Sequence, residues 1–318
     1  MRATFTQEQL EIAKTVRSLV EGEGVTARTA LDDGWRAPAC DGPLLRDFGL
    51  LGVPEPAGGI GSDLIDLLVA VEVLGEHLVP SRFPAHAAAV QLLSGSPLPE
   101  DVLAGERVLT PAMDALVRFA AQADGFAVLL PGGAGIAAAE RIVARQSLDP
   151  SVPLSDVTLA APEAIAPAGA GPWRATLVTA AELCGVAQGA IELAAEQART
   201  REQFGRVIGS YQGVAFQLAE AATVRKAAWD LTLYAGWAVD NGRPDAEIQV
   251  HAAKAAAGRA AIFAAERCIQ VHGGMGITME ADPHLFLRRA LVLDAVLGSG
   301  AWHRRRAGAL RVVARSSV

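Results

Sequence analysis

Two short segments carry the residue types that a phosphate-containing ligand requires. One is RTREQFG, in which Arg201 precedes Phe204, and the other is QVHGG, in which Gln270 precedes Gly273 and Gly274. A guanidinium can hold phosphate oxygens through two parallel hydrogen bonds, and glycines let the backbone approach a phosphate or a ribose closely. By spacing alone, Arg201 also fits an exposed charge at a helix end, and the glycine pair also fits a helix stop.

The composition indicates a helical protein with no basic surface for nucleic acid. The chain has 318 residues, of which 51% are hydrophobic, and its formal net charge is −7. Its many alanines favour packed helices, and its length suffices for a large core in two or three units. The negative charge argues against a nucleic-acid partner. We expect the basic run His303–Arg306 to be a solvated helix face near the C-terminus.

The cysteines and the N-terminus predict a cytoplasmic protein with no membrane anchor. Cys40, Cys184 and Cys268 are odd in number, far apart and without metal-site spacing, so we expect buried free thiols. Free thiols suit a reducing compartment. The first residues lack the apolar stretch of a signal peptide, and no uninterrupted run of about eighteen apolar residues occurs.

Three regions of different pattern follow one another along the chain. Residues 1–97 show helical periodicity, residues 98–170 show short apolar runs between Gly, Pro and Asp, and residues 171–318 are helical again. The last region has tight breaks, which predict an antiparallel bundle. Its predicted helices cover about 175–200, 211–240, 244–272, 283–297 and 299–315.

Local signals place several elements within these regions. Thr6 and Gln9 form a capping-box pattern at the start of the first helix. The segment from Leu64 to about Gly75 is apolar almost all round, as a buried helix is. GGAG at 132–135 predicts a hairpin turn.

This order of regions and three motifs resemble the acyl-CoA dehydrogenase family. The motifs are GLLGVPEPAGGIGSDLIDLLVAVEVLGEHL (49–78), GVAQGAIELAAEQARTREQFGRVIGSYQGVAFQLAE (185–220) and QVHGGMGITMEADPHLFLRRA (270–290). They occur in the order and with the spacing that the family requires. The resemblance implies a mostly α fold with an N-terminal helical domain (1–97), a truncated central β domain (98–170) and a C-terminal antiparallel helix bundle (171–318) for flavin binding and oligomerisation.

The resemblance also implies a cofactor, a substrate and partners. They are FAD at a subunit boundary of a dimer or dimer of dimers, an acyl-CoA thioester, and an electron-transfer flavoprotein as acceptor. In the family pattern Arg201 would hold the FAD pyrophosphate, Phe204 would pack on the cofactor, and Gln270 would hold the adenine end across the interface. The cofactor-binding residues implied in this way are Arg201, Phe204, Gln212, Gln270, Gly273, Gly274 and Ser299.

The catalytic base of the family is missing from this sequence. That base is a desolvated carboxylate, which removes the α proton of the thioester while the flavin accepts a hydride from the β carbon. One family position matches Leu297 and the other matches Ala175 and Thr176, and none of these side chains can abstract a proton. The central region also lacks the family's TEP…GSD loop and its WIT/S strand, which contact the flavin ring.

Other acids are weaker candidates for a base. Asp294 lies one helical turn before Leu297 and is the candidate that we retain. The other titratable residues near the motifs are Glu182, Glu280, Asp282, His284 and His272. We expect the acids at 280 and 282 to cap the loop, with His284 paired to one of them, and His272 to orient the glycine loop.

Three functions are compatible with this pattern. The leading hypothesis is a subunit of an FAD-dependent acyl-CoA dehydrogenase that desaturates an acyl-CoA at the α,β carbons. A complete paralogous chain would then supply the base in a hetero-oligomer, expected to be a heterotetramer. Family members of this truncated kind act in fatty-acid or sterol breakdown, so the resemblance implies a bulky acyl-CoA. The alternatives are a homo-oligomer that uses Asp294 and a flavin-free structural pseudoenzyme.

Overall fold

A computed structural model describes residues 4–167 and 169–316 of the chain. The N-terminal region is built of short helices around one long apolar helix. These are α1 (Gln7–Glu21), α2 (Ala27–Asp33), α3 (Asp41–Asp47), α4 (Leu64–Glu76), α5 (Phe83–Leu93) and α6 (Glu100–Leu103). The predicted capping box is confirmed, because Gln9 N donates to Thr6 Oγ1 at 3.2 Å and Thr6 N donates to Gln9 Oε1 at 3.1 Å.

The central region forms two small sheets. The strands are β1 (Leu109–Pro111), β2 (Val117–Arg118), β3 (Gly125–Leu130), β4 (Gly133–Ala137), β5 (Ala139–Arg145), β6 (Leu154–Leu159) and β7 (Glu163–Ala166). One sheet has the order β1-β3-β4-β7 and the other the order β2-β6-β5. The strands β1 and β3 run parallel, and the other neighbours run antiparallel. The hairpin predicted at the glycines is confirmed between β3 and β4, where Gly132 has a φ of 82°.

Five helices and one short hairpin make up the C-terminal region. They are α7 (Gly171–Thr200), the hairpin β8 (Glu202–Gln203) and β9 (Arg206–Val207), α8 (Gln212–Asp240), α9 (Ala246–His272), α10 (Pro283–Ala295) and α11 (Gly300–Ser316). α9 packs against the other four helices. By length and composition α7 could span a membrane, but 78% of its most apolar window is buried inside the protein, as expected for a core helix.

Glycines bring α4 and α7 into backbone contact. A Cβ atom at Gly185 would overlap the carbonyl of Glu72, and a Cβ atom at Gly189 would overlap the carbonyl of Glu76. Because the two helices touch through their backbones, the side chains of α7 that flank this seam are enclosed by the core. Eleven residues of α4 are buried, so the prediction of an all-round apolar helix is confirmed.

The mostly α architecture agrees with the fold class expected from the sequence, whereas one surface expectation is wrong. The three cysteines are buried and free, as predicted. His303 is only 1% exposed, so the run His303–Arg306 is not a solvated face throughout. The physical reason is that the His303 ring turns toward α9, while the three arginines after it stay exposed. The domain boundaries near residues 97 and 170 stay predictions.

Candidate cofactor site

A cavity of about 840 Å³ lies where the end of α7, the start of α8 and the end of α9 meet. Five of the seven residues predicted to bind the cofactor line it, namely Arg201, Phe204, Gln270, Gly273 and Gly274. They come from two segments about seventy residues apart in the chain. The antiparallel packing of α8 and α9 joins these segments, because it brings the first turn of one helix beside the last turn of the other.

The Arg201 side chain is an exposed cation without a partner among the described residues. Its backbone carbonyl accepts a hydrogen bond from Ile208 N at 2.8 Å, which fixes the chain where it leaves α7. Its guanidinium makes no hydrogen bond or ion pair with any residue in the described ranges. All five of its N–H donors are therefore free for an anionic ligand at the cavity.

The β8–β9 hairpin exposes an aromatic ring beside this arginine. Phe204 has a φ of 52° and is 93% exposed. A left-handed backbone conformation at a bulky residue costs about 1–2 kcal/mol. Because the Phe204 ring is exposed, its packing within the chain does not offset this cost. Tyr211 Oη donates to Gln203 O at 3.0 Å, and the guanidinium of Arg206 lies 4.0 Å from the centre of the Tyr211 ring. These contacts hold the hairpin at the mouth of the cavity.

The last turn of α9 leaves open space on the other side of the cavity. Gly273 ends the helix with a φ of 63°, and a Cβ atom at Gly273 or Gly274 would meet nothing within 4 Å. The Gln270 amide is exposed and makes no hydrogen bond with a described residue. His272 Nδ1 donates to Cys268 O at 2.8 Å, which fixes the ring against the helix end. The glycines thus form a cradle that the protein itself does not fill.

Two predicted cofactor residues do not line this cavity. Gln212 is the exposed first residue of α8 and its side chain lies outside the lining set. Ser299 directly precedes α11, and its Oγ accepts a hydrogen bond from Trp302 N at 3.3 Å. It adjoins Gly298, whose carbonyl contacts Lys254 on α9. From Lys254 to Gln270 the helix rises about 24 Å, so Ser299 belongs to the opposite end of α9.

The turn between α10 and α11 contains the position that matches the family base. Leu297 is 7% exposed and has a φ of 56°. Its N–H donates to Asp114 Oδ2 at 2.8 Å, and its carbonyl accepts from His303 Nε2 at 2.9 Å. The loop between β1 and β2, which contains Asp114, therefore closes on this turn from the β region. An apolar side chain and satisfied backbone groups occupy the position that the resemblance assigns to the base.

A buried lysine holds the same turn from α9. Lys254 Nζ donates to three backbone carbonyls at 3.0–3.3 Å, namely those of Leu293, Asp294 and Gly298. Two of these carbonyls belong to the last turn of α10, so the ammonium acts as a C-terminal cap. Burial lowers the pKa of Lys254 to about 8, although Asp294 and Asp114 oppose the shift.

Two histidines complete the enclosure of the turn. His251 Nδ1 and His303 Nδ1 are 2.7 Å apart. Since the Leu297 carbonyl can only accept, His303 carries a proton on Nε2, and one of the two facing Nδ1 atoms must be unprotonated. Burial lowers the pKa of His303 to about 4, so the ring is neutral near neutral pH.

The geometry favours a structural role for Asp294. Its carboxylate accepts hydrogen bonds from Gly300 N at 3.2 and 3.3 Å, which caps the start of α11. A Cβ atom at Gly258 would overlap the same carboxylate, so the group is wedged between α9 and α11. At the second family position, Ala175 is fully buried and Thr176 Oγ1 donates to Pro172 O at 2.7 Å.

Two of the other candidate acids have structural partners, whereas Glu280 is exposed and makes no hydrogen bond or ion pair with a described residue. Glu182 is buried in a network with Arg118 at 2.9 Å and Arg289 at 3.6 Å, which joins β2 to α7 and α10. Asp282 accepts a hydrogen bond from Arg28 Nε at 2.9 Å. The expected pairing with His284 is wrong, because Asp282 turns to α2 and both ring nitrogens of His284 lack a partner among the described residues.

In the described part of the chain, hydrogen bonds from three different elements hold the turn at Leu297. The side chains that hold this turn belong to Asp114, Lys254 and His303. The sequence motifs did not single them out. The available signal was Lys254 itself, a cation flanked on both sides by alanines.

Comparisons with known proteins agree with the fold and the motifs. Residues 174–309 match the model of the acyl-CoA dehydrogenase C-terminal domain. The acyl-CoA dehydrogenase IpdE2 of Mycobacterium tuberculosis is 30% identical over 90% of this chain and 92% of its own length. The acyl-CoA dehydrogenase FadE34 of the same organism is 33% identical over 96% of this chain, which spans 48% of its length.

A solved structure extends the similarity to the whole described fold. The ChsE4-ChsE5 complex from Mycobacterium tuberculosis contains a chain with a TM-score of 0.79 and 23% identity, and the match covers 97% of this chain and 98% of that one. The similarity runs through the helical regions and the central β region alike. By its sequence, its order of elements and these relatives, the chain belongs to the acyl-CoA dehydrogenase family.

Proposed function

We propose that this chain is the base-lacking subunit of an FAD-dependent acyl-CoA dehydrogenase. A paralogous chain supplies the carboxylate base and the contacts to the flavin ring, and this chain holds the adenine side of the cofactor. The observation that carries the proposal is the free Arg201 guanidinium at an open cavity. It is combined with the turn at Leu297, whose backbone N–H and carbonyl are both hydrogen-bonded within the chain.

The residues at the cavity fit one end of FAD. Arg201 offers free donors for the pyrophosphate, and Gln270 offers a free amide for the adenosine. The unfilled cradle at Gly273 and Gly274 admits a ligand close to the backbone. Bound FAD supplies the acceptor for the hydride that leaves the β carbon of the acyl thioester.

The end of α9 that contains Lys254, next to the turn at Leu297, supports the assignment of the base to another chain. A base for the α proton must be a carboxylate that reaches the substrate. Leu297 cannot serve, and Asp294 is engaged in capping α11. The existence of a family structure named as a complex of two different chains, ChsE4-ChsE5, supports a hetero-oligomer of the same kind here. The substrate in this proposal is a bulky fatty or sterol acyl-CoA, and an electron-transfer flavoprotein reoxidises the flavin.

The experiment compares three preparations. They are this chain alone, a complete acyl-CoA dehydrogenase paralogue that co-purifies with it from the native source, and the two chains co-expressed. We expect flavin absorbance and acyl-CoA turnover only, or far more strongly, in the co-expressed complex. Turnover by this chain alone would overturn the proposal in favour of a homo-oligomer, and a flavin-free complex would favour a structural pseudoenzyme.

Substitution of Arg201 tests whether FAD binds at this cavity. Arg201→Ala removes charged hydrogen bonds worth about 1.5–3 kcal/mol, so FAD should bind about 10- to 100-fold more weakly to the complex. Arg304→Ala is the matched control, because Arg304 is an exposed arginine of α11 outside the cavity. Equal flavin retention in the two variants would contradict the assignment of Arg201.

A further inference from the structure

A cation of the N-terminal region holds the segment that joins α9 to α10, residues 273–282. Arg28, on α2, donates from Nε to Asp282 Oδ1 at 2.9 Å and from Nη2 to the same oxygen at 2.5 Å. Its Nη1 donates to the carbonyl of Met279. One guanidinium therefore binds a side chain and a backbone group of the same segment.

The 273–282 segment also forms part of the wall of the candidate cofactor cavity. Met275 and Thr278 line this cavity, as do both glycines at the start of the segment. Thr278 directly precedes Met279, whose carbonyl Arg28 binds. The guanidinium thus contacts the segment one residue away from the cavity wall.

The two halves of the segment are held in different ways. In the first half Gly276 packs against α9, where a Cβ atom would overlap the carbonyl of Ile269. In the second half the large apolar side chains of Ile277 and Met279 are exposed. A stretch with few buried apolar contacts opens locally at a small cost in free energy, so polar contacts govern how often the second half opens.

Arg28 supplies the polar contacts that come from the N-terminal region. Among the described residues before position 98, no other side chain or backbone group forms a hydrogen bond or ion pair with the segment. The donors of a guanidinium have a fixed planar geometry, so three hydrogen bonds from one group fix both the position and the orientation of what they bind.

We propose that Arg28 is a positioning residue, which keeps the 273–282 segment in the shape that the cofactor requires. Arg28 does not touch the ligand. It acts because a segment that is already ordered loses less conformational entropy when a ligand binds, so the ligand binds more tightly. The proposal rests on the function proposed above and extends the cofactor site to a residue of α2.

The test compares variants in the co-expressed complex. Arg28→Gln and Asp282→Asn are made singly and together, and Arg36→Gln is the matched control. Arg36 lies just after the same helix and pairs locally with Asp33 at 3.2 Å. Hydrogen exchange of residues 273–282 is measured by mass spectrometry, and FAD affinity by titration of the flavin-depleted complex. Melting temperature and turnover per bound flavin are measured alongside.

We expect Arg28→Gln to speed hydrogen exchange in residues 277–282 about 3- to 10-fold and to weaken FAD binding by a similar factor. Asp282→Asn should have a smaller effect, since Arg28 keeps its bond to Met279 O, and the double variant should resemble Arg28→Gln. Arg36→Gln should behave as the natural complex does.

Two further readouts separate positioning from a general loss of structure. The melting temperature should change by less than about 2 °C in Arg28→Gln, because a partly exposed ion pair contributes little to global stability. Turnover per bound flavin should stay within about two-fold, because Arg28 does not contact the reacting atoms. A large fall in either quantity would show a structural role and overturn the proposal.

The remaining outcomes distinguish this inference from the proposed function. If exchange in the segment is the same in Arg28→Gln and the natural complex, Arg28 does not hold the segment and the inference is wrong. If exchange is faster but FAD binds equally well, the role toward the cofactor is wrong while the proposed function stands. If the natural complex holds no FAD, the proposed function fails and the role toward the cofactor fails with it.

Discussion

At one end of α9 the protein encloses its polar groups, and at the other end it leaves them free. Around Lys254, an ammonium group, an imidazole and a carboxylate satisfy the backbone of the α10–α11 turn, and a second imidazole pairs with the first. Around Gln270, an arginine, an amide and an aromatic ring surround a cavity without pairing with one another. A buried polar group costs free energy unless it is paired, so the pairing around Lys254 stabilises the fold. The groups around Gln270 are exposed and keep their hydrogen-bonding capacity unused within the chain.

This difference teaches why the loss of one carboxylate is not an isolated change. Here Asp114, Lys254 and His303 fill the surroundings of Leu297, and the region contributes to stability. The open end keeps groups that do nothing for folding. The comparison therefore makes different predictions for substitutions at the two ends.

The largest effect is expected at Lys254. Lys254→Met keeps the apolar stem but removes the ammonium from three carbonyls of the turn, two of them in partly buried hydrogen bonds, so the free energy of unfolding should fall by about 3 kcal/mol. Urea denaturation measures this change. Lys226→Met is the control, because Lys226 forms an exposed pair with Asp230 and should change stability by less than about 0.5 kcal/mol. Equal stabilities would mean that the turn does not depend on Lys254.

The second effect is a loss of stability in acid. The folded pKa of His303 is about 4, below its ordinary value of 6.5, so the unfolded chain binds the proton more readily between these values. The stability is complete above about pH 6.5 and decreases as the pH falls toward 4, by about 3 kcal/mol for this group. His303→Gln can still donate to Leu297 O but does not titrate.

Thermal unfolding from pH 7 to pH 4 tests this prediction. The fall in melting temperature should be shallower in His303→Gln than in the natural chain. Part of the fall should persist, because burial also lowers the pKa of His86 to about 4. Identical pH profiles would show that the His303 ring is not a neutral part of the closed end.

A smaller effect is expected at Asp294. Asp294→Asn weakens the cap on Gly300 N and should lower the free energy of unfolding by about 1 kcal/mol. In the co-expressed complex, flavin content and acyl-CoA turnover should stay unchanged. A variant that folds and binds flavin but has lost turnover would instead identify Asp294 as the base.

The smallest effect on stability is expected at the open end. Phe204→Ser should change the melting temperature of the chain by little, because the ring is 93% exposed and stabilises nothing within it. Flavin retention by the complex should nevertheless decrease, since the ring lies at the mouth of the cavity. A marked loss of chain stability would break the contrast between the two ends.

Sequence patterns predicted much of the architecture because they reflect local physics. The capping box at Thr6, the apolar helix from Leu64 and the stops at the ends of α8 and α9 depend on neighbours within one or two turns. The motif residues Arg201 and Gln270 were predicted to act together, and the fold brings both to one cavity. The burial of His303 and the pairing of Asp282 with Arg28 were missed, because both depend on elements distant in sequence.

The sequence by itself determined the family of this chain, and from the sequence we predict that it has adenine-side residues and lacks the base. Only the tertiary structure decided which side chains surround Leu297, because Asp114 and Lys254 lie about 180 and 40 residues from the turn that they hold.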